Sequence, residues 1–333
     1  MEIINRNSKS TLFVCEDDRV LATLTDGDIR RHILAGKALS ASVMEAANRH
    51  FHTLPESSNY NEVYELCDKL AIKMIPGVDK DGKLATVFFN DQRTSLIVKK
   101  IDTPVVIMAG GKGTRLYPYT KVLPKPLIPI GDLTITEHIM SRFFEYGCDT
   151  FVMIINHKKE MIKAYFSENK KENIVLTFFE EDKFLGTGGG LSLLRSRITE
   201  TFFFTNCDIL ILENYNTIYE HHKTSGNILT MVCATKTLSF PYGTVDIGED
   251  GTIKELLEKP SYSFLTNTGF YIIEPKFLDY VPDNTFVHIT DIIQECIDKE
   301  KIGIYPVSEA QWLDMGNHDD MEKMRDKFQV PEN

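Results

Sequence analysis

Residues 103–127 read TPVVIMAGGKGTRLYPYTKVLPKPL, a short apolar run followed by a glycine-rich stretch and then by a proline-rich one. The apolar run has the length and the β-branched composition of a buried strand. Glycines after such a strand permit positive φ angles and a close approach of the backbone to a ligand. A loop of N–H groups facing acceptor oxygens is therefore one interpretation, and a tight structural turn is the other.

Downstream of this stretch, strand-like apolar runs alternate with helix-like amphipathic patterns as far as about residue 235. Such βαβ alternation predicts a Rossmann-like α/β domain with a mostly parallel mixed sheet that helices cover on both faces. Ligands of such sheets bind beyond the carboxyl ends of the strands, where the glycine-rich stretch lies. We assign residues 103–330 to this domain and residues 93–102 to a linker.

Composition excludes several classes of partner. The chain has 333 residues, enough for two domains, and a formal net charge of −11 without a basic cluster, so nucleic acid and anionic membranes are not expected as partners. No apolar run has membrane-spanning length, and the first residues lack a signal-peptide pattern, which predicts a cytoplasmic protein. Six scattered cysteines without a C-x-x-C motif are typical of reduced thiols.

The N-terminal part contains an internal repeat. VCEDDRVLATLTDGD (14–28) aligns with VDKDGKLATVFFND (78–91), and a strand-like 52–55 and a helix-like 61–72 precede the second copy. In the first copy the corresponding strand and half of the helix are missing. We predict two copies of a small α/β unit in residues 1–92, of which the first is incomplete.

This repeat resembles a CBS-domain pair, and LTDGDIRR is similar to the stretch with which such domains bind adenine nucleotides. The resemblance implies that Thr25 faces phosphate and Asp28 the ribose hydroxyls. A packing or dimerisation module is the alternative interpretation. Because the missing strand would leave Leu12, Phe13 and Val14 uncovered, we expect self-association, most simply as a dimer.

Spacing distinguishes among phosphate-loop motifs. The G-x-G-x-x-G fingerprint fails because Leu116 occupies its third glycine position, and a Walker A loop is absent from this stretch. The whole of GGKGTRLYPYTKVLPKPL resembles the signature of sugar-1-phosphate nucleotidyltransferases. The resemblance implies that Arg115 and Lys125 are catalytic and stabilise phosphate charge. It also implies a loop that wraps a nucleoside triphosphate with Ala109, Gly110, Gly111, Gly113 and Thr114.

Two further motifs agree with that family. FLGTGGGL (184–191) places small residues at a helix start, where free N–H groups can meet a base edge or a phosphate, although a tight turn is the alternative. The resemblance assigns Gly186 and Gly188, with Glu181, to base recognition. Asp208 and Asp314 each follow a predicted strand, and the resemblance makes them the ligands of a Mg²⁺ cofactor.

The stretch YGTVDIGEDGTIKELLEKP (242–260) predicts a hairpin with EDG as its turn. A solvated charge pair is the simplest interpretation of its EKP triplet. The resemblance instead implies a sugar-phosphate site, made of Tyr242, Gly243, Glu258, Lys259 and, from N-x-G-x-Y further along, Asn267.

Within the family the chain resembles the guanylyltransferase branch, which includes enzymes similar to glucosamine-, mannose- and heptose-1-phosphate guanylyltransferases. The resemblance implies transfer of GMP from GTP to a sugar 1-phosphate, for surface glycan or nonulosonic-acid precursors. A cytidylyltransferase acting on a phosphocholine-like substrate is the enzymatic alternative. A regulatory subunit that senses nucleotide or sugar without chemistry is the non-enzymatic one.

Overall fold

The computed structural model describes residues 11–56, 58, 60–89 and 100–328. The chain forms two compact units: an N-terminal unit of Met1–Leu96, Thr235–Thr266 and Pro306–Ala310, and a main unit of the remaining residues. Two segments that the sequence alone places in the domain at 103–330 thus group with the N-terminal unit. Most of the linker predicted at 93–102 lies outside the described residues, and the domain boundaries stay a prediction.

The first half of the N-terminal unit is built from short elements: β1 (Thr11–Glu16), β2 (Arg19–Thr25), α1 (Asp26–Leu34), α2 (Val43–Ala46), β3 (Leu54–Pro55), α3 (Tyr60–Leu70), β4 (Met74–Val78) and β5 (Leu84–Phe89). Strands β1 and β2 pair antiparallel, as do β4 and β5, while β3 lies parallel to β4. Each repeat copy therefore contains one hairpin, and the strand and helix predicted before the second hairpin are confirmed.

Thr25 and Asp28 form a capping box at the start of α1. The Thr25 hydroxyl accepts a hydrogen bond from the Asp28 N–H, and Asp28 Oδ2 accepts from the Thr25 N–H and hydroxyl. The other Asp28 oxygen pairs with Arg31. Helix capping accounts for both residues without a ligand, so their role toward an adenine nucleotide stays a prediction. The expected dimer stays one too, although Leu12, Phe13 and Val14 of β1 are only half-buried.

From residue 100 onward the elements are β6 (Val105–Ala109), α4 (Tyr119–Val122), β7 (Pro129–Ile130), β8 (Leu133–Thr134), α5 (Ile135–Glu145), β9 (Thr150–Ile155), α6 (Lys159–Glu168), β10 (Val175–Glu180), α7 (Gly186–Gly189), β11 (Phe202–Asn206), β12 (Ile209–Ile211), α8 (Tyr215–Ser225), β13 (Leu229–Ser239), β14 (Thr244–Ile247), β15 (Ile253–Leu257), β16 (Ser261–Ile273), α9 (Ile289–Cys296), β17 (Ile302–Ser308), β18 (Trp312–Asp314) and α10 (His318–Lys327). None of the described helices is long and apolar enough to cross a membrane.

The large sheet has the strand order β10-β9-β6-β11-β16-β13-β17. The pairs β10–β9, β9–β6 and β6–β11 are parallel, and β11–β16 is antiparallel. The predicted α/β fold with a mostly parallel mixed sheet is thus confirmed. Strands β6 and β9 are almost wholly apolar and buried, as expected for parallel strands covered on both faces. The four parallel strands end at one edge of the sheet and bring their following loops together there.

Aromatic packing makes one face of this sheet rigid. Phe143 of α5 stacks on Phe270 at 5.6 Å and lies 4.7 Å from Tyr215 of α8, measured between ring centroids. All three side chains are fully buried. The opposite face packs against α9 and residues 190–198. Close packing of this kind fixes the strand ends, and with them the loops of the candidate site.

Candidate functional site

A cavity of about 250 Å³ opens at the carboxyl ends of β6 and β11. Its lining includes three groups that the sequence singles out: the glycine loop, the two cations after it and one of the two aspartates. The lining residues among these are Gly111, Gly113, Thr114, Arg115, Lys125 and Asp208. The cavity thus brings part of the predicted site together, whereas Ala109, Gly110, Glu181, Gly188 and Asp314 do not line it.

Gly113 determines how closely the loop approaches the residues that follow it. Its φ of +64° lies in the left-handed region. A Cβ atom there would lie 2.9 Å from Thr120 Cγ2 and 3.0 Å from Lys125 Cβ, so a side chain would push Lys125 away. Glycine is therefore required for backbone conformation and for space. The short 3₁₀ turn Thr114–Leu116 follows, anchored by the buried Leu116.

The two aspartates come together through the β12–β18 ladder. Ile209 pairs with Asp314, and the Met315 N–H donates to the Asp208 carbonyl at 3.0 Å. Burial, followed by the charge of Asp208, raises the pKa of Asp314 to about 6, although the nearby cations oppose the shift. The two carboxylates thus repel each other where they cannot be fully hydrated, and a cation is the natural partner of such a pair.

Lys125 supplies one such positive charge, because its ammonium group forms an ion pair with Asp208 and both side chains are largely buried. Burial disfavours the charged ammonium, but the Asp208 carboxylate raises the pKa of Lys125 overall. The carboxylates of Asp208 and Asp314 also suit Mg²⁺, which usually binds one or two carboxylates and takes its remaining oxygen ligands from phosphates and water. Among the described residues no group of three or more potential metal-ligating side chains occurs, so substrate or water would have to complete the coordination.

Glu181 is a buried acid beside the glycine loop. It is 1 % exposed, and apart from the Leu185 backbone no described residue offers its carboxyl oxygens a hydrogen bond. Burial raises the pKa of Glu181 to about 7, and the backbone of Leu185 offsets only part of the shift. A Cβ atom on Gly110 would lie 2.8 Å from Oε2, and one on Gly190 2.7 Å from Oε1, so the carboxyl group lies directly against the loop.

This burial should appear as a pH-dependent loss of stability. Below about pH 4.5 the acid is protonated in both the folded and unfolded chains, whereas between pH 4.5 and 7 only the unfolded chain ionises readily. The free energy of unfolding should therefore fall across that window, by roughly 3 kcal/mol, and level off above it. Thermal unfolding of the wild type and of Glu181→Gln at pH 5 and pH 8 isolates this effect, because the other groups are common to both. Equal differences at the two pH values would contradict it.

The glycine motif at 184–191 differs from expectation in two respects. A four-residue helix, α7, and a 3₁₀ turn replace the longer predicted helix. The N–H groups of Gly188 and Gly189 both donate to the Val287 carbonyl, at 3.0 and 3.1 Å. The expectation that the Gly188 N–H is free for a ligand is therefore wrong, because that segment already uses it. Gly186, with a φ of +81°, lines the cavity.

The predicted sugar-phosphate residues fall in both units. Strands β14 and β15 form the expected antiparallel hairpin, with Gly248 and Thr252 closing its turn. Glu258 and Lys259 follow β15, and Lys259 has a φ of +48°. Tyr242 and Gly243 precede β14, and Tyr242 is 76 % exposed. These residues belong to the N-terminal unit, whereas Asn267 lies in the main unit and donates to the Tyr271 hydroxyl at 2.7 Å.

The sequence analysis missed the turn of residues 156–158, between β9 and α6. Lys158 has a φ of +53° and donates to three carbonyl groups between Arg115 and Lys125. Asn156 Nδ2 donates to the Glu181 carbonyl at 2.9 Å. A signal was present, since NHKK follows the carboxyl end of a buried strand, the edge at which the loop residues were expected.

A family model described as Nucleotidyl transferase matches residues 104–329. The chain belongs to the nucleotidyl transferase family. Its similar curated proteins differ in base: a UTP–glucose-1-phosphate uridylyltransferase of Synechocystis is 30 % identical over 231 residues, which cover 63 % of this chain and 59 % of that protein. The probable glucose-1-phosphate cytidylyltransferase of Bacillus subtilis is 33 % identical over 198 residues, 53 % of this chain and 77 % of that protein.

A third relative is the mannose-1-phosphate guanylyltransferase catalytic subunit beta of Drosophila melanogaster, 29 % identical over 224 residues, with 66 % of this chain and 60 % of that protein covered. The chain thus spans less than two thirds of the Synechocystis and Drosophila proteins. Among solved structures, HddC from Yersinia pseudotuberculosis has a TM-score of 0.54 at 24 % identity, with 68 % of this chain and 100 % of that chain covered. This similarity agrees with the nucleotidyl transferase fold.

Proposed function

We propose that the chain transfers a nucleotidyl group, GMP from GTP, to a sugar 1-phosphate and releases pyrophosphate. The observation that carries the proposal is the position of Lys125 and the paired aspartates beside a glycine loop at the carboxyl edge of the sheet. Residues of these types suit a reaction that needs positioning and charge stabilisation more than covalent chemistry. Family membership and the relatives named above support the reaction class.

In this proposal a phosphate oxygen of the sugar 1-phosphate attacks the α-phosphorus of GTP in line. The new P–O bond forms while the bond to the β-phosphate oxygen breaks, and the electron pair leaves with pyrophosphate. Arg115 and Lys125 stabilise the charge that develops on the phosphates. Asp208 and Asp314 would hold Mg²⁺, which when bound would neutralise phosphate charge. Glu258, Lys259 and Asn267 would bind the sugar phosphate.

The choice of GTP rests on Glu181. In its ionised form a carboxylate only accepts hydrogen bonds, and guanine presents two neighbouring donors, N1–H and N2–H₂, that can pair with both oxygens and would thereby favour the ionised form of Glu181. Uracil and thymine present one donor between two acceptors, so they would leave one oxygen unpaired. Cytosine likewise offers a single donor group, its amino group, so the cytidylyltransferase stays the second candidate because of the similar Bacillus subtilis protein and not because of Glu181. The two carboxyl oxygens of Glu181, which have little hydrogen bonding within the described residues, thus favour guanine.

Pyrophosphate release should be measured for GTP, ITP, CTP, UTP and dTTP against several sugar 1-phosphates and phosphocholine. We expect GTP with a sugar 1-phosphate to be fastest, and ITP, which lacks the 2-amino group, to be roughly tenfold slower in kcat/KM, the effect of one lost hydrogen bond. Glu181→Gln should reduce this preference. A preference for CTP would favour the cytidylyltransferase, and GTP binding without turnover of any pair would favour the regulatory subunit.

A further inference from the structure

Lys158 makes an unusual set of contacts beside the candidate site. Its Nζ donates to the carbonyl oxygens of Thr120, Lys121 and Val122, at 3.0, 2.6 and 2.9 Å. An ammonium group has three protons, so all three are directed at one short piece of backbone. That piece lies within residues 117–124, which join Arg115 to Lys125 and which we call the connecting segment.

Besides Lys158, His318 also contacts the connecting segment: its Nε2 hydrogen-bonds to the Tyr117 carbonyl at 2.8 Å, and its ring lies 5.5 Å from that of Tyr119. Tyr117, Tyr119 and Val122 are 62, 42 and 69 % exposed, so little apolar burial fixes the segment. Its helix α4 has only four residues, Tyr119–Val122, and is followed directly by Leu123 and Pro124. The last carbonyls of a helix have no partner within it. Lys158 satisfies them from another element, while Thr120 is buried against Gly113.

The backbone of Lys158 is itself in a conformation that lysine rarely adopts. Its φ of 53° and ψ of 34° are left-handed, and the residue immediately precedes α6. Such conformations persist where the surroundings over-determine them, and they cluster at functional sites. The two residues before Lys158 are also held by hydrogen bonds. Asn156 Nδ2 donates to the Glu181 carbonyl, and the His157 N–H donates to the Gly110 carbonyl at 3.4 Å.

One turn therefore contacts the glycine loop, the Glu181 segment and the connecting segment. We propose that Lys158 is a positioning residue that fixes the connecting segment, so that Arg115 and Lys125 keep the spacing needed at the phosphates. This inference rests on the proposed nucleotidyl transfer for its catalytic consequence. Its structural part, the ordering of the connecting segment, does not depend on the reaction.

The test compares Lys158→Asn with the wild type and with Lys170→Asn, a matched change at an exposed lysine beyond α6. Asparagine tolerates left-handed backbone and caps helices, so the variant removes the ammonium group while preserving the turn. We expect amides of residues 116–127 to exchange hydrogen several-fold faster in Lys158→Asn. We also expect kcat to fall about 10- to 100-fold, as for small misplacements of catalytic groups, with KM for the sugar phosphate within twofold.

Each outcome separates the two parts of the inference. Unchanged exchange of residues 116–127 would overturn the ordering role, and faster exchange with unchanged kcat would overturn the catalytic one. The catalytic role would also be overturned if kcat fell no further in Lys158→Asn than in Lys170→Asn. If the wild type turns over no triphosphate, the proposed function fails, while the exchange comparison still decides whether Lys158 orders the segment. Should Lys158→Asn fold poorly, Lys158→Gln provides the same comparison.

Discussion

Exchange of either Asp208 or Asp314 for asparagine should lower kcat by about 10³-fold or more. Each change removes one of the two carboxylates proposed to hold Mg²⁺, and the lost interaction acts mainly on charge in the transition state. The fold should survive, because both side chains lie at the end of a short ladder and not in the sheet core. Asp298→Asn, at an exposed position, is the matched control and should retain full turnover.

The two variants should differ in stability even though both lose activity. Asp208→Asn leaves the largely buried Lys125 without its ion pair, so the melting temperature should fall. Asp314→Asn removes a carboxylate whose pKa is raised by burial and by Asp208, so the melting temperature should stay equal or rise. Melting curves with and without Mg²⁺ and GTP complete the test. Near-normal turnover, or an unaltered Mg²⁺-dependent shift in either variant, would contradict the metal assignment.

Arg115→Ala should lower kcat by roughly 10²- to 10³-fold with every triphosphate that the wild type uses, because a charge directed at the phosphates is indifferent to the base. Arg115 is exposed and lines the cavity, so its loss should leave the melting temperature nearly unchanged.

Lys259→Ala should instead raise KM for the sugar phosphate about tenfold, with a smaller effect on KM for the triphosphate.

Full kinetics with both substrates varied distinguish these two expectations. The contrast between the variants matters more than either number, since a general loss of folded protein would change both in the same way. If Lys259→Ala weakened binding of the triphosphate alone, the sugar-phosphate and nucleotide sites would have been assigned the wrong way round. An Arg115→Ala effect confined to one base would show that the arginine contacts the base and not the phosphates.

Local sequence was sufficient for the sheet and for the glycine loop. The buried runs of β6, β9 and β11 have the composition of parallel strands, and the loop after β6 lies at the predicted edge. The loop was predicted as a whole, but the sequence did not distinguish Gly113, which has a positive φ, from Gly110 and Gly111, which do not. The strands and the loop depend on neighbours in the chain, and the sequence displays such neighbours directly.

Other parts of the site depend on partners that are distant in the sequence. The Gly188 N–H is used by Val287, and the ammonium group of Lys158 finds its three carbonyls on a segment before α5. The segment Thr235–Thr266 groups with the N-terminal residues although it follows the βαβ alternation directly. No local pattern encodes these pairings, because each arises from the way in which separate elements pack.

The pairing of Ile209 with Asp314 also bears on how such a site can be lost in evolution. Successive side chains of a strand point to opposite faces, so the addition or removal of one residue in β18 would turn its carboxylate to the other side. Every residue type of the motif would still be present, and a search by motif would still find it. A homologue with such an insertion would look intact in an alignment and yet have lost the pair of carboxylates.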